Sequence, residues 1–147
     1  RGLGDVYKRQ AYAWAMEYLK SGDEIILSVM EHHANIVPWH FLRERYGIKI
    51  KWVDCDINGN IDPQAIIDQF SDRTKLLAIT HMSNVLGTIV DVKTLCHVAS
   101  KRGINLGLAT SNHAGNLILF LEGTISSRLT GCEIKFDVEL TMTCLQS

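Results

Sequence analysis

The stretch EIILSVMEHHANIVPWHFLRERYG, residues 24–47, contains two different hydrophobic patterns in succession. Its first part, Glu24–Ser28, is a short apolar run, and such a run after a turn is typical of a buried strand. Its second part has Asn35, a residue type that favours helix N-termini, and ends at Gly47, a residue type common just after helices. The stretch therefore predicts a buried strand followed closely by a helix over Asn35–Tyr46.

The same order of elements occurs twice more along the chain. A strand predicted at Ile48–Val53 precedes a helix at Pro63–Phe70, and a strand at Lys75–Thr80 precedes a helix at Val92–Arg102. A further helix is predicted over Ala11–Lys20, before the first strand. Strands and helices that alternate with short connections are typical of a parallel sheet with helices on both faces. The sequence therefore predicts an α/β fold.

Length, composition and charge limit the classes of function. The chain has 147 residues, 46% hydrophobic and 21% charged, which is enough for one globular domain with its own core. The net charge of -1 argues against binding to nucleic acid or to an anionic membrane, because both need a basic patch. No apolar run approaches the roughly 20 residues that cross a bilayer. The four cysteines form no CxxC pair, which favours a reducing, cytoplasmic location.

The adjacent residues His32 and His33 raise the question of a metal site. Neighbouring residues do not share a face of a strand or a helix, so we expect the two imidazoles to point in different directions. Zinc ligands usually come as Cys or His pairs spaced by roughly two to five residues, with a second pair elsewhere in the chain. No such second pair occurs, so the sequence predicts no metal.

Polar residues follow the first and the third predicted strands. His32 comes after the first strand, and Asn84 comes after the third. The carboxyl ends of parallel strands meet at one edge of a sheet, and ligands of such sheets bind at that edge. We therefore expect His32 and Asn84 to face one pocket there, although an asparagine at this place also suits a loop cap.

Two segments carry a resemblance to a known family: SGDEIILSVMEHHANIVPW, residues 21–39, and KLLAITHMSNVLGTIVDV, residues 75–92. At this separation they resemble the class V aminotransferase family, and within it the SufS-type cysteine desulfurases and the related selenocysteine lyases. The resemblance runs from about Tyr12 to Gly103. It implies part of the large domain of a pyridoxal 5'-phosphate (PLP) transferase of the aspartate aminotransferase-like fold.

The resemblance also implies roles for three residues. His32 matches the catalytic histidine that stacks on the pyridine ring of PLP and moves protons. Asn84 matches an asparagine that hydrogen-bonds near the ring hydroxyl and the substrate, and Asn112 stands where the family has a cofactor-binding glutamine. For the parent enzyme, the resemblance implies a homodimer that takes L-cysteine or selenocysteine. A sulfur-acceptor protein would then receive the sulfur for iron–sulfur cluster assembly.

The chain also departs from the family pattern. Ala109 stands where the family has the aspartate that keeps the pyridine nitrogen protonated, and no Ser-Gly-His-Lys motif supplies a Schiff-base lysine. We therefore expect the chain to be inactive alone. We expect residues 1–10 to be non-native or disordered, and residues 11–108 to be the partial PLP-binding domain. Residues 109–147 are expected to be an unmatched tail, either frame-shifted or divergent.

Three functions from different classes are compatible with these features. The leading hypothesis is a fragment of a PLP-dependent cysteine desulfurase. One alternative is a fragment of another class V PLP enzyme, either a selenocysteine lyase or a kynureninase-like protein. Another is a non-catalytic module that keeps the fold for binding or dimerisation. A flavodoxin-like nucleotide-binding protein is disfavoured, because the chain has no glycine-rich phosphate loop.

Overall fold

The computed structural model describes residues 4–83, 85–110, 117–121, 132–136 and 140–144. Helices and strands alternate through most of this part of the chain. In chain order they are α1 (Gly4–Tyr18), β1 (Glu24–Ser28), α2 (His33–Tyr46), β2 (Lys49–Val53), α3 (Pro63–Asp68), β3 (Thr74–Thr80), α4 (Val92–Lys101), β4 (Asn105–Thr110), β5 (Leu117–Leu121), β6 (Cys132–Phe136) and β7 (Leu140–Cys144). No helix within the described ranges is long and apolar enough to cross a membrane.

Five of the strands form one sheet, in the order β2-β1-β3-β4-β5. β1 pairs in parallel with both β2 and β3, and β3 pairs in parallel with β4. The predicted parallel arrangement of the first three strands is therefore confirmed. β5 runs antiparallel to β4, and β6 and β7 form a separate antiparallel pair.

The two faces of the sheet are covered by different pairs of helices. On β1, Ile26 packs in the core that includes α3 and α4, whereas Ile25 and Leu27 pack in the core that includes α1 and α2. On β3, Leu77 packs in the core with α3 and α4, and Leu76 packs in the core with α1 and α2. Both faces of these strands are thus buried, which explains why their sequences are continuously apolar instead of alternating. The predicted helices on both faces are confirmed.

Local capping interactions place most of the helix ends where the sequence predicts them. Asp62 accepts a hydrogen bond from the backbone N–H of Gln64 at 2.9 Å, and Pro63 occupies the first turn of α3. Asp91 caps α4 through the N–H of Thr94 at 3.1 Å. The residue after α2 is a glycine with φ 70°, a backbone conformation that glycine adopts without steric cost.

Two predicted helix starts are wrong. α2 begins at His33 instead of Asn35, because the imidazole of His32 caps the helix and Asn35 makes buried contacts instead. α1 begins at Gly4 instead of Ala11, since the residues between them include no further glycine or proline that would interrupt a helix. The expected division of the chain into domains stays a prediction.

Candidate functional site

The carboxyl ends of β1 and β3 are the place in this sheet that best suits a ligand. These two strands are neighbours, and the helices that follow them, α2 and α4, pack on opposite faces of the sheet. The strand order reverses at this point, and in open parallel sheets ligands bind in the crevice outside the strand ends at such a reversal. In the sequence, His32 follows β1 and Asn84 follows β3.

His32 lies at the N-terminus of α2, directly beyond the end of β1. Its backbone is extended, with φ -65° and ψ 144°, and its Nδ1 accepts a hydrogen bond from the N–H of Ala34 at 3.2 Å. Because Nδ1 accepts, the neutral ring carries its proton on Nε2. Burial lowers the pKa of His32 below its ordinary value of 6.5, and the charge of His33 lowers it further. At neutral pH the side chain is therefore an uncharged, flat ring in one tautomer.

The two adjacent histidines lie together, so the expectation that their imidazoles diverge is wrong. The ring centroids of His32 and His33 are 4.0 Å apart, with 39° between the ring planes. The rule for neighbouring residues holds inside a regular element, whereas this pair spans the change from extended to helical backbone. Within the described part of the chain, no group of three or more His, Cys, Asp and Glu side chains is arranged to hold a metal ion.

Glu31 is a buried carboxylate, 7% exposed, in the turn between β1 and His32. Its Oε1 accepts hydrogen bonds from the Ser28 hydroxyl at 2.5 Å and from the Thr80 backbone N–H at 2.8 Å. Its Oε2 accepts a hydrogen bond from the Asn35 amide at 2.8 Å. Burial raises the pKa of Glu31, and these hydrogen bonds offset part of that rise. The carboxylate ties the turn after β1 to the last residue of β3.

Asn35 extends these hydrogen bonds into the interior of α2. Its amide nitrogen donates to Glu31 and, at 3.4 Å, to the carbonyl of Ala78, while its oxygen accepts from the indole N–H of Trp39 at 3.2 Å. Both Asn35 and Trp39 are buried. The sequence interpretation missed this network, although the spacing of Glu31, Asn35 and Trp39 at i, i+4 and i+8 is a signal for one face of a helix.

The loop after β3 contacts the turn after β1. Ser83 is buried, its N–H donates to the carbonyl of Thr88 at 3.0 Å, and its hydroxyl accepts two backbone N–H groups of the same loop. The Thr88 hydroxyl lies 3.6 Å from the sulfur of Met30, in the turn after β1. The predicted site residues Asn84 and Asn112 lie outside the described residues, so their roles stay predictions.

A sequence model of the family described as Aminotransferase class-V matches residues 8–114. The chain belongs to the class-V aminotransferase family. The match includes both segments that carry the resemblance, residues 21–39 and 75–92, and so the predicted family is confirmed.

Curated relatives of this class-V aminotransferase chain are cysteine desulfurases. A probable cysteine desulfurase of Xylella fastidiosa (strain Temecula1) is 49% identical over 94 residues, which make up 64% of this chain and 23% of the relative. A cysteine desulfurase of Salmonella newport is 42% identical over 103 residues, which make up 70% of this chain and 25% of the relative. The chain thus spans about a quarter of the length of these relatives.

Solved structures of cysteine desulfurases share the fold of the chain. The crystal structure of the cysteine desulfurase CsdA from Escherichia coli matches with a TM-score of 0.68 and 31% identity, over 74% of this chain and 27% of that chain. The apo structure of a cysteine desulfurase from Thermococcus onnurineus NA1 matches with a TM-score of 0.65 and 28% identity, over 74% and 28%. The fold predicted from the sequence, part of a PLP-transferase large domain, is therefore confirmed.

Class-V aminotransferases use PLP, and the residues of this chain fit only part of what that cofactor needs. His32 offers an uncharged flat ring for stacking. The sheet register pairs Ala109 with Thr80, which puts the position expected for an aspartate at the same sheet edge, and alanine cannot hold a proton on the pyridine nitrogen. The sequence also has no Ser-Gly-His-Lys motif. These residues fit non-covalent stacking on the cofactor ring, but they supply neither the matched lysine motif nor the aspartate.

Proposed function

We propose that this chain carries the cofactor-stacking edge of a PLP-dependent cysteine desulfurase. The observation that carries the proposal is the position of His32, whose neutral imidazole lies where the strand order reverses. The names of the curated relatives support the reaction class. In the whole protein, the His32 ring would stack on the pyridine ring, and its Nε2 would hold or move a proton.

The substrate and the partners of the whole protein follow from the same proposal. Bound PLP supplies the electron sink with which such enzymes cleave a carbon–sulfur bond. The substrate would be L-cysteine, and an acceptor protein would take the sulfur for iron–sulfur cluster assembly in the cytoplasm. We further propose Asn84 and Asn112 as PLP contacts, and a homodimer as the state of the whole enzyme.

The chain alone is proposed to bind the PLP ring weakly and reversibly, without catalysis. Stacking on one imidazole gives a contact but no anchor, because the aldehyde has no matched lysine motif and the ring nitrogen faces no aspartate at position 109. The stacking contact can therefore be tested separately from the chemistry.

The test uses pyridoxine 5'-phosphate, which has the ring and phosphate of PLP but no aldehyde that could react with surface lysines. The compound is titrated into the purified chain while the imidazole carbon–proton signals are followed by NMR, together with the backbone amide signal of Ala34, which remains in every His32 variant. We expect ring-current shifts at His32 that saturate with concentration. His32→Phe should retain binding, because it keeps a flat ring, whereas His32→Ala should lose it.

His33→Ala is the matched control, since it removes the neighbouring ring, 4.0 Å away, and leaves His32 in place. Binding that survives His32→Ala, or that His33→Ala removes to the same degree, would contradict the stacking role of His32.

A further inference from the structure

We propose that Glu31 is a positioning residue, whose buried carboxylate holds the turn that presents His32 to a stacked ring. This inference rests on the proposed function and adds a residue that acts through His32 without touching the ligand. The Glu31 carboxylate accepts hydrogen bonds from three parts of the fold. The donors are Ser28 at the end of β1, Thr80 at the end of β3 and Asn35 in the first turn of α2.

The backbone of His32 is held on both sides by this arrangement. Glu31 precedes it and is fixed through its side chain, while the N–H of Asn35 donates to the His32 carbonyl at 2.8 Å. The hydrogen bond from the N–H of Ala34 to Nδ1 then orients the imidazole relative to this backbone. The direction of the ring is therefore determined by groups that Glu31 connects.

The chemical nature of Glu31 supports a positioning role over simple packing. A buried carboxylate is costly unless hydrogen bonds satisfy it, and an apolar side chain of similar size often stabilises a protein as well or better. Directional hydrogen bonds do what apolar contacts cannot, because they fix the angle at which segments meet. Here they join segments that are 49 residues apart in sequence.

Glu24 provides a matched control at the opposite end of the same strand. It is also a buried carboxylate, with hydrogen bonds from Ser71 and Thr74 and an ion pair with Lys51 at 2.7 Å. Glu24→Gln removes the same charge from the amino end of β1, away from the His32 turn. A general loss of stability would affect both variants, whereas a loss of positioning would affect only Glu31→Gln.

A compensating pair of substitutions sharpens the test. In Glu31→Gln, the new amide nitrogen faces the amide nitrogen of Asn35, so two donors oppose each other. Adding Asn35→Asp restores an acceptor opposite that donor and keeps an acceptor for the indole N–H of Trp39. The double variant E31Q/N35D therefore preserves the charge and the pairings with residue 31 and Trp39, and it gives up only the long hydrogen bond, 3.4 Å, from Asn35 to the carbonyl of Ala78.

The readout is the tautomer of His32, measured by nitrogen NMR of the imidazole at slightly alkaline pH, together with hydrogen exchange of the Ala34 amide. We expect Glu31→Gln to change the Nε2–H signature to a tautomer mixture. Exchange at Ala34 should become about tenfold faster, the factor that one lost hydrogen bond of ordinary strength gives. Glu24→Gln should leave both signals as in the parent chain, and E31Q/N35D should restore them.

An unchanged tautomer and unchanged Ala34 exchange in Glu31→Gln would overturn the proposal, as would equal changes in Glu24→Gln. Should Glu31→Gln not fold, Ser28→Ala takes its place, because it removes only one of the three donors. A smaller change in the same direction is then expected, and no change would overturn the proposal. These measurements need no ligand, so they stand apart from the pyridoxine 5'-phosphate titration, whose failure would contradict only the proposed function.

Discussion

The imidazole of His32 combines a structural task with the chemical one proposed for it. Its Nδ1 accepts the N–H of Ala34 and so caps α2. Protonation would convert Nδ1 from an acceptor into a donor and break this cap. The folded state therefore disfavours the charged ring, in agreement with the lowered pKa of His32. The resulting stability is present above the ordinary pKa of 6.5 and is lost as the pH falls from there through the lowered pKa.

Replacing His32 by asparagine should keep the cap and remove its pH dependence. Asparagine is among the best N-caps, so the free energy of unfolding at neutral pH should change by less than about 0.5 kcal/mol, while His32→Ala should lose about 1 kcal/mol. As the pH falls below 6.5, the parent chain should lose more stability than the asparagine variant. Urea unfolding followed by circular dichroism at several pH values measures both effects. The prediction would be contradicted if His33→Asn reduced the pH dependence of the free energy of unfolding by the same amount.

Glu24, the first residue of β1, and Glu31, in the turn after β1, are both buried carboxylates, and their contributions to stability should respond to pH in opposite directions. Burial raises the pKa of Glu24, but hydrogen bonds from Lys51, Ser71 and Thr74 and the charge of Lys51 outweigh it and leave the pKa below 4.5. Burial dominates at Glu31, whose pKa lies above 4.5. The stability that Glu24 contributes is thus present above pH 4.5 and is lost as the pH falls through its lowered pKa. The stability that Glu31 contributes is fully present below pH 4.5 and is lost as the pH rises through its raised pKa.

Substituting each carboxylate by its amide tests this contrast. The loss of stability on acidification should be smaller in Glu24→Gln than in the parent chain. The loss as the pH rises above 4.5 should be smaller in Glu31→Gln. The measurement is the difference in the free energy of unfolding between parent and variant across the acidic range. Difference curves of the same slope for the two variants would show that the pKa shifts do not have opposite signs.

At the scale of elements, the hydrophobic runs in the sequence predicted most of the sheet. β1 and β3 are apolar at every central position because helices cover both of their faces. The antiparallel direction of β5 was not predicted, since an apolar run indicates a strand but not its direction. The length of the connection indicates the direction of β5, because only residues 111–116 separate it from β4. A parallel crossover needs about a dozen residues or more.

The start of α2 shows why a helix end can differ from its predicted place. Asparagine ranks above histidine as an N-cap, so local preference favoured Asn35. In the fold, Asn35 is instead hydrogen-bonded to Glu31 and Trp39, and His32 is the N-cap residue of α2. The Asn35 amide also donates to the carbonyl of Ala78 in β3, and no local pattern contains this contact between α2 and the sheet.

Two isoleucines test the arrangement of the sheet and its helices. Ile79 is fully buried on β3, among side chains from α3, α4 and the neighbouring strands, whereas Ile57 lies fully exposed in the loop after β2. Ile79→Ala should lower the free energy of unfolding by about 2–5 kcal/mol, because it leaves a cavity. Ile57→Ala should change it by less than about 0.5 kcal/mol. Urea unfolding measures both, and similar losses would contradict the assigned core.

At the scale of the whole molecule, the sequence predicted the position of His32 in the sheet better than the contacts around it. The order of strands and helices put His32 at the carboxyl edge, and the strand order agrees with that location. The link between Glu31 and Thr80 was not predicted, because it joins residues whose proximity arises only when β1 and β3 pair. Buried polar groups of this kind resemble surface residues in a sequence. The roles of Asn84 and Asn112 stay predictions.

The last prediction concerns the chemistry of the 147-residue chain. Incubated with PLP and then dialysed, the purified chain should lose its visible PLP absorbance and release no sulfide from L-cysteine. Its sequence has no Ser-Gly-His-Lys motif to attach the cofactor, and Ala109 offers no carboxylate to protonate the ring. A full-length cysteine desulfurase serves as the positive control. Retained absorbance that disappears in Lys135→Ala but persists in Lys101→Ala would contradict the prediction, because it would show that residues 109–147 contain an attachment site of their own.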